Sequence, residues 1–422
     1  MPHVSDVDHG ATSRSRAEAP LRAGEPRRRR TRLRVPRRTQ TSCDRILLKY
    51  KFGEGGLLRV IERACHLTRL SEQISWLFVL TWVPIVAFGL AREVQTGTPE
   101  VLLRDPAVHV RMLIATPLLV ALDHVFPVVC TTALRELSNQ SFLPRDALPR
   151  FDRLLCRVVR VADSNVPELL IALTGISFAV LALHGHVSLR GISLSDSLSA
   201  AQKWYLLTDL PLFHFLLWRS LWRWLLWCRL LVGLSRLPLQ MVPTHPDRSG
   251  GIGFLRYPSI LYCAALLFVV SAVVCAEWGS RFGAGQTLAS FKPLLLLFGS
   301  AGALIAFGPL LVFTPLLVRA RSEGLKYLGG FAARSGRRFR RHLSRDPRPS
   351  PARYQEVDGL TAMATTYRES VNSISYVLIR KRDVLVLLAA TLAPLVPVML
   401  ATVPQEDWLV LVDLLTGSVP LP

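Results

Sequence analysis

The sequence lacks the short motifs that mark common soluble enzymes. It contains no phosphate loop ending in Gly-Lys-Ser or Gly-Lys-Thr, no H-E-x-x-H zinc motif and no Ser-His-Asp spacing typical of a hydrolase. Its cysteines are scattered, without a C-x-x-C pair, and therefore predict reduced thiols and neither a metal site nor a bound cofactor. They are Cys43, Cys65, Cys130, Cys156, Cys228, Cys263 and Cys275.

The chain also has few acidic residues and no early apolar segment. We expect no cleavable secretory signal, because the first apolar run begins near Ile74, too deep in the chain for one. Lys and Arg together number 51 against 30 Asp and Glu, which gives a formal charge of +21. Such an excess can indicate nucleic-acid binding, but its placement, described below, indicates membrane orientation, and we expect no nucleic acid partner.

Long hydrophobic runs are abundant: half of the residues are hydrophobic, and many lie in runs of the roughly 17 to 25 residues that cross a bilayer. Backbone groups in hydrocarbon must be satisfied within the segment, so the runs predict helices, with Pro84, Pro117, Pro309 and Pro394 as kinks. The fold class is therefore all-α, a polytopic transmembrane bundle of about seven spans. The predicted spans are Ile74–Ala91, Met112–Cys130, Val166–His184, Trp204–Trp218, Ser259–Ala276, Pro293–Leu317 and Val384–Val403.

The distribution of Lys and Arg predicts the orientation. With the N-terminus in the cytoplasm, 44 of them fall in cytoplasmic segments and seven on the opposite side. The predicted organisation has a disordered Arg-rich cytoplasmic tail (1–44), an amphipathic juxtamembrane helix (45–73), a bundle of six spans (74–317) with cytoplasmic loops 131–165 and 219–257, a cytoplasmic helical hairpin (318–383), a last span (384–403) and an external tail (404–422). An alternative for 1–44 is an upstream extension of the true start.

Several segments predict contacts with lipid or with other copies of the chain. The Arg-rich cytoplasmic segments predict attraction to anionic lipid. The small residues of the sixth span, "GSAGALIAFG", favour close packing within the bundle or in a homo-oligomer. Trp and Arg residues alternate after the fourth span and are expected at the headgroup level. They are Trp218, Arg219, Trp222, Arg223, Trp224, Trp227 and Arg229.

Ionisable residues inside the predicted spans are candidates for function, because each costs about 2.5 to 3.5 kcal/mol to insert. Asp123 with His124 or His214 suggests a proton relay or a cation site, and the alternative is one packing hydrogen bond each. For Glu168 and Asp209, near helix starts, an ordinary interaction with the helix dipole is the favoured interpretation. His184 and His186 close the outer end of the third span. The candidates are Asp123, His124, Glu168, Asp209 and His214.

The stretch "VPTHPDRSGGIGF" lies between the fourth and fifth spans. Pro243 and Pro246 stop the preceding helix, and the glycines that follow permit positive φ angles or close backbone approach. It matches neither a Walker loop nor a Rossmann fingerprint. One interpretation is an anion-binding nest of Gly amides with Arg248; a rigid, tightly packed turn is favoured.

Together with "SEGLKYLGGFA" and "RDVLVLLAATLAPLVPVML", this stretch resembles a family of uncharacterised bacterial multi-pass inner-membrane proteins. In that family the first motif reads close to H-P-D-R-x-G-G-L-G-F, and Ile252 departs from it. The resemblance covers residues 60 to 405 in outline; it implies location in the bacterial inner membrane and no known activity. The motif falls on His245, Pro246, Asp247, Arg248, Gly250, Gly251, Gly253 and Phe254.

Three classes of function follow from these patterns. The favoured one is a transporter or channel for a small ion or solute, with the polar residues of the spans along its pathway. The second is a non-catalytic membrane platform or signalling component that docks a cytoplasmic partner. The third is a membrane enzyme acting on a lipid-type substrate, with His245, Asp247 and Arg248 as its polar groups.

Overall fold

The computed structural model describes Arg59, Glu62 and Ala64 together with residues 69–139, 142–184, 198–282, 292–345 and 351–397. Within these residues every regular element is a helix. The predicted tails over 1–44 and 404–422, most of the predicted juxtamembrane helix over 45–73, and His186 lie outside the described residues.

The helices follow one another with short connections, and two π-helical turns each join a pair of helices without a break. The bounds are α1 Leu70–Thr96, α2 Val101–Arg104, α3 Pro106–Val110, a π-turn Arg111–Ala115, α4 Thr116–Asn139, α5 Leu148–Ala162, α6 Asn165–Leu183, α7 Ala200–Trp204, a second π-turn Tyr205–Asp209, α8 Leu210–Ser235, α9 Arg256–Phe282, α10 Lys292–Leu311, α11 Thr314–Arg345, α12 Pro351–Asn372 and α13 Lys381–Leu392. Short 3₁₀ turns, Arg145–Ala147 and Gly253–Leu255, precede α5 and α9.

Helix α9 lies at the centre of the bundle. It packs against α3, α4, α10 and α13, and 61% of its most apolar stretch is buried inside the protein. For α1 the buried share is only 17%, although the helix is almost as apolar. Large side chains such as Trp76 and Leu90 therefore point outward, as expected where a helix faces lipid and not water.

Four stretches are long and apolar enough to cross a membrane: Leu70–Thr96, Pro106–Leu137, Arg145–Leu183 and Gly253–Gly279. The bent pair Leu296–Leu311 and Thr314–Arg337 makes a fifth if it counts as one span. These helices are consistent with an integral membrane protein. The predicted fourth and seventh spans are not among them within the described residues, so seven spans and a cytoplasmic N-terminus stay predictions.

The predicted sixth span is not one straight helix. The chain bends by 47° between α10 and α11. Pro315, the second residue of α11, has no N–H to bond the carbonyl of Leu311, and the loss of this hydrogen bond favours a bend at this point. The predicted last span is interrupted in the same way: α13 ends at Leu392, just before Pro394.

The predicted cytoplasmic segments are largely helical where the structure describes them. α4 continues to Asn139 and α8 to Ser235, so both helices extend into the predicted cytoplasmic segments 131–165 and 219–257. The first helix of the predicted hairpin 318–383, α11, begins at Thr314, before the predicted start of the hairpin. The second helix of the hairpin, α12, runs Pro351–Asn372. Proline is favoured in the first turn of a helix, where its missing N–H has no partner to lose.

Candidate functional site

Asp123 is the centre of a buried cluster of charges. It lies in the middle of α4 and is only 3% exposed. Arg219 and Arg223, one turn apart on α8, both contact its Oδ1 through Nη1. Nη1 of Arg223 also donates to the backbone carbonyl of Asp123 at 2.9 Å. The two guanidinium groups thus hold this carboxylate from one side of the bundle.

Glu168 joins the same cluster from a third helix. Nε of Arg219 donates to its Oε1 at 2.8 Å, and Arg219 is 1% exposed. Because Glu168 lies in the first turn of α6, Arg219 connects α4, α6 and α8 through charged hydrogen bonds. We call Asp123, Glu168, Arg219 and Arg223 the charge cluster.

The segment before α1 supplies a further arginine. Arg59 lies 3.7 Å from Oδ2 of Asp123 and donates to Glu62 at 2.8 Å. When Arg59 and Glu62 are counted with the charge cluster, three acids face three arginines. The formal charges balance, as a low-dielectric interior requires. A cavity of about 30 Å³ borders Glu168 and Arg223, which is room for one water molecule beside the cluster.

Of the predicted histidines, His124 lies beside the charge cluster, with its Nε2 3.4 Å from Nη1 of Arg59. His124 and His214 each bond through Nδ1 to the carbonyl four residues earlier in their own helix, at 3.1 and 2.7 Å. The ring of His214 packs against Phe178 and Phe213. Among the described contacts, none joins Asp123 to His214. His184 likewise bonds the carbonyl of Val180 at 2.9 Å.

Sequence reasoning missed the two arginines of the cluster. Arg219 and Arg223 were expected at the headgroup level, but both are buried. The signal was present in their spacing: Arg219, Arg223 and Trp227 recur every four residues and so share one face of α8. Asp123 and Glu168 lie inside predicted spans and require positive partners. The predicted spans themselves contain no Lys or Arg, so the partners had to come from the segments beside them.

The chain matches no protein-family model, and no curated protein or solved structure is detectably similar to it. The family resemblance suggested by the HPDRxGGxGF motif therefore stays a prediction. In the described part of the chain, no group of His, Cys, Asp or Glu is placed to hold a metal ion.

The HPDR motif forms a turn organised by the carboxylate of Asp247. Its Oδ1 accepts from the amides of Ser249 and Gly251, and its Oδ2 from that of Gly253, each at 2.9 Å. Burial raises the pKa of Asp247, whereas the hydrogen bonds from the three amides and from His245 lower it by a larger amount. The net pKa of Asp247 therefore lies below its usual value. An anion nest would need these amides, and Asp247 already occupies them.

The backbone of the turn takes conformations that favour glycine. Arg248, Gly250 and Gly251 have φ angles of 56°, 63° and 95°. Neighbouring segments hold the turn in place: the amide of Ser375 donates to the carbonyl of Arg248 at 2.9 Å, and Arg380 donates to that of Asp247 at 2.6 Å. These contacts favour a structural role for the motif, as a junction between α8, α9 and α13.

Replacing Gly251 with Ala should destabilise the protein by about 1 to 3 kcal/mol. An added Cβ would lie 2.1 Å from Cζ of Phe142, and the φ of 95° is unfavourable for any side chain. Thermal unfolding in detergent, followed by tryptophan fluorescence, measures the effect. Gly336→Ala on α11, where the Cβ meets open space, is the matched control and should not lower the stability. Equal stability of both variants would show that the turn is not tightly packed.

Proposed function

We propose that this protein transports a small ion or solute across the membrane, with the charge cluster on the path. The observation that carries the proposal is the burial of Asp123, Glu168, Arg219 and Arg223 among helices apolar enough to span a bilayer. Apolar residues can often replace a buried ion pair without loss of stability, so packing alone does not require one. Charges retained at this depth commonly mark a pathway for ions or protons.

Location in the bacterial inner membrane, with the N-terminus and the HPDR turn in the cytoplasm, is part of this proposal. It is supported by the distribution of Lys and Arg in the sequence. The seven-span arrangement, membership of the family with the HPDRxGGxGF motif and attraction of the Arg-rich segments to anionic lipid belong to the same proposal.

A membrane platform is the second candidate, and one observation favours it. The far half of α11 carries several exposed arginines, a surface suited to an acidic protein or to anionic headgroups. They are Arg334, Arg337, Arg340 and Arg341. The lipid-enzyme alternative loses support, because the carboxylate of Asp247 is held by three amides and is poorly placed to act as an acid or base.

We expect purified protein in liposomes to carry an ion flux that Asp123→Asn abolishes. Loss of the carboxylate leaves Arg219 and Arg223 without their shared counter-ion and places a fixed positive charge on the path. Internal pH and membrane potential, followed under imposed ion gradients, report the flux. Glu369→Gln, an exposed acid on α12, is the matched control and should transport normally.

The double variant Asp123→Asn with Arg223→Gln separates transport from folding. It removes one charge of each sign, so the cluster stays balanced, and it should insert and remain folded while still lacking flux. No flux from folded wild-type protein, across protons and common cations, would contradict the proposal. The exposed arginines of α11 would then become the place to test for a partner.

A further inference from the structure

A second buried carboxylate, away from the charge cluster, has no hydrogen-bonding partner among the described residues. Asp209 is 0% exposed, and neither Oδ1 nor Oδ2 accepts a hydrogen bond within the described part of the chain. This differs sharply from Asp123, whose carboxylate contacts Arg219 and Arg223. A charged carboxylate without donors in an apolar interior is strongly disfavoured.

The nearest described arginine is placed by its ring contacts: Arg111 packs on Tyr205 and Phe213, which lie four residues before and four residues after Asp209. The guanidinium of Arg111 lies over the rings of Tyr205 and Phe213, at 5.8 and 5.6 Å from their centroids. Its Nε has no hydrogen-bond partner among the described residues. Within the described residues no ion-pair contact joins Arg111 to Asp209.

The other titratable groups around this pair sit on three elements. Asp105, before α3, and Glu277 on α9 act on Arg111, and His214 on α8 is influenced by Arg111 in turn. Among the described residues, Arg111 is the charged group that favours the ionised form of Asp209. The protonation of Asp209 therefore depends mainly on its burial and on the charge of Arg111.

Both residues belong to π-helical turns. Arg111 begins the turn Arg111–Ala115, and Asp209 ends the turn Tyr205–Asp209. The hydroxyl of Thr116 donates to the carbonyl of Arg111 at 2.8 Å, five residues back. Single π-turns inside α-helices are rare and occur frequently at functional sites. Here Arg111 of one turn lies over the ring of Tyr205, the first residue of the other turn.

We infer that Asp209 is a proton-binding site, because a buried carboxyl group without donors is favoured in its neutral form, and that it exchanges this proton beside Arg111. On release, the carboxyl O–H bond breaks, its electron pair stays on the carboxylate, and the proton passes to a water molecule. Arg111 keeps its own protons and compensates the new negative charge. The inference deepens the transport proposal and rests on it only in taking the proton as a transported ion.

Infrared difference spectroscopy on the reconstituted protein tests the site directly. At neutral pH we expect a carboxylic-acid C=O stretching band that is lost in Asp209→Asn. Asp123→Asn is the matched control and should keep the band, because Asp123 is held as a carboxylate by two arginines. A spectrum without this band, or a band unchanged in Asp209→Asn, would overturn the inference.

Arg111→Gln provides a second variant that leaves Asp209 in place. Without the guanidinium, the band should persist to a pH higher by about one to three units. An unchanged midpoint would also overturn the inference. Flux in liposomes without the carboxylic-acid band would contradict the proton site at Asp209 and would still support the transport proposal. The band without flux would keep the proton site and contradict transport.

Discussion

Replacing Arg219 with Gln should destabilise the folded protein by about 3 to 5 kcal/mol. The guanidinium is 1% exposed and bonds to carboxylates on two other helices, so its loss removes charged hydrogen bonds to Asp123 and Glu168 at once. Gln is shorter and neutral, and it cannot offset two buried negative charges. The free energy of unfolding, measured in lipid bicelles by steric trapping, reports the effect.

Arg229→Gln is the matched control for this substitution. Arg229 lies on the same helix but is exposed, and the change should stay within about 0.5 kcal/mol of the wild type. A double-mutant cycle adds a second check. Glu168→Gln in the Arg219→Gln background should cost less than it does alone, because the partner charge is already gone. Equal costs for Arg219→Gln and Arg229→Gln would mean that the cluster does not hold the helices together.

The apolar helices could be predicted from sequence because lipid imposes a simple rule. A run of about 20 apolar residues that must satisfy its own backbone is a helix, whatever lies around it. The centres of α1, α6 and α9 fall where the predicted spans Ile74–Ala91, Val166–His184 and Ser259–Ala276 lie. Helix ends were harder, because α8 continues past Trp218 as a helix that packs against α5 and buries its polar face.

The charge cluster could be predicted only in part. Asp123 and Glu168 are acidic residues in apolar runs, so the sequence alone marks them as candidate site residues. Their partners do not stand out, because an arginine at the end of a span has two physically sound positions, at the headgroups or turned into the bundle. Which one Arg219 takes depends on the packing of α4, α6 and α8, and that packing is set by contacts distant in sequence.

The HPDR turn shows the same division. The glycines and the prolines indicate a turn, and the left-handed φ angles of Gly250 and Gly251 follow from the residue type. The residue type does not show which group accepts the hydrogen bonds of the turn amides. Only the folded backbone brings the amide of Gly253 to Asp247, six residues earlier.

Replacing Asp247 with Ala should destabilise the protein by about 3 to 4 kcal/mol. The carboxylate accepts from three backbone amides, its side chain is 18% exposed, and without it these amides lose their acceptor at the junction of three helices. Asp247→Asn should cost less, because the amide oxygen still accepts from part of the turn. Denaturation in detergent, with tryptophan fluorescence as the readout, compares the two variants.

The pH dependence of stability gives this prediction an independent check. The folded pKa of Asp247 lies below the ordinary value of about 3.9 for an unfolded Asp. The carboxylate therefore contributes stability above that value and loses it as the pH falls through the folded pKa. The difference between wild type and Asp247→Asn should shrink below about pH 4, since only the wild type has this group to protonate. A difference that stays constant to pH 2 would show that the charge of Asp247 does not stabilise the turn.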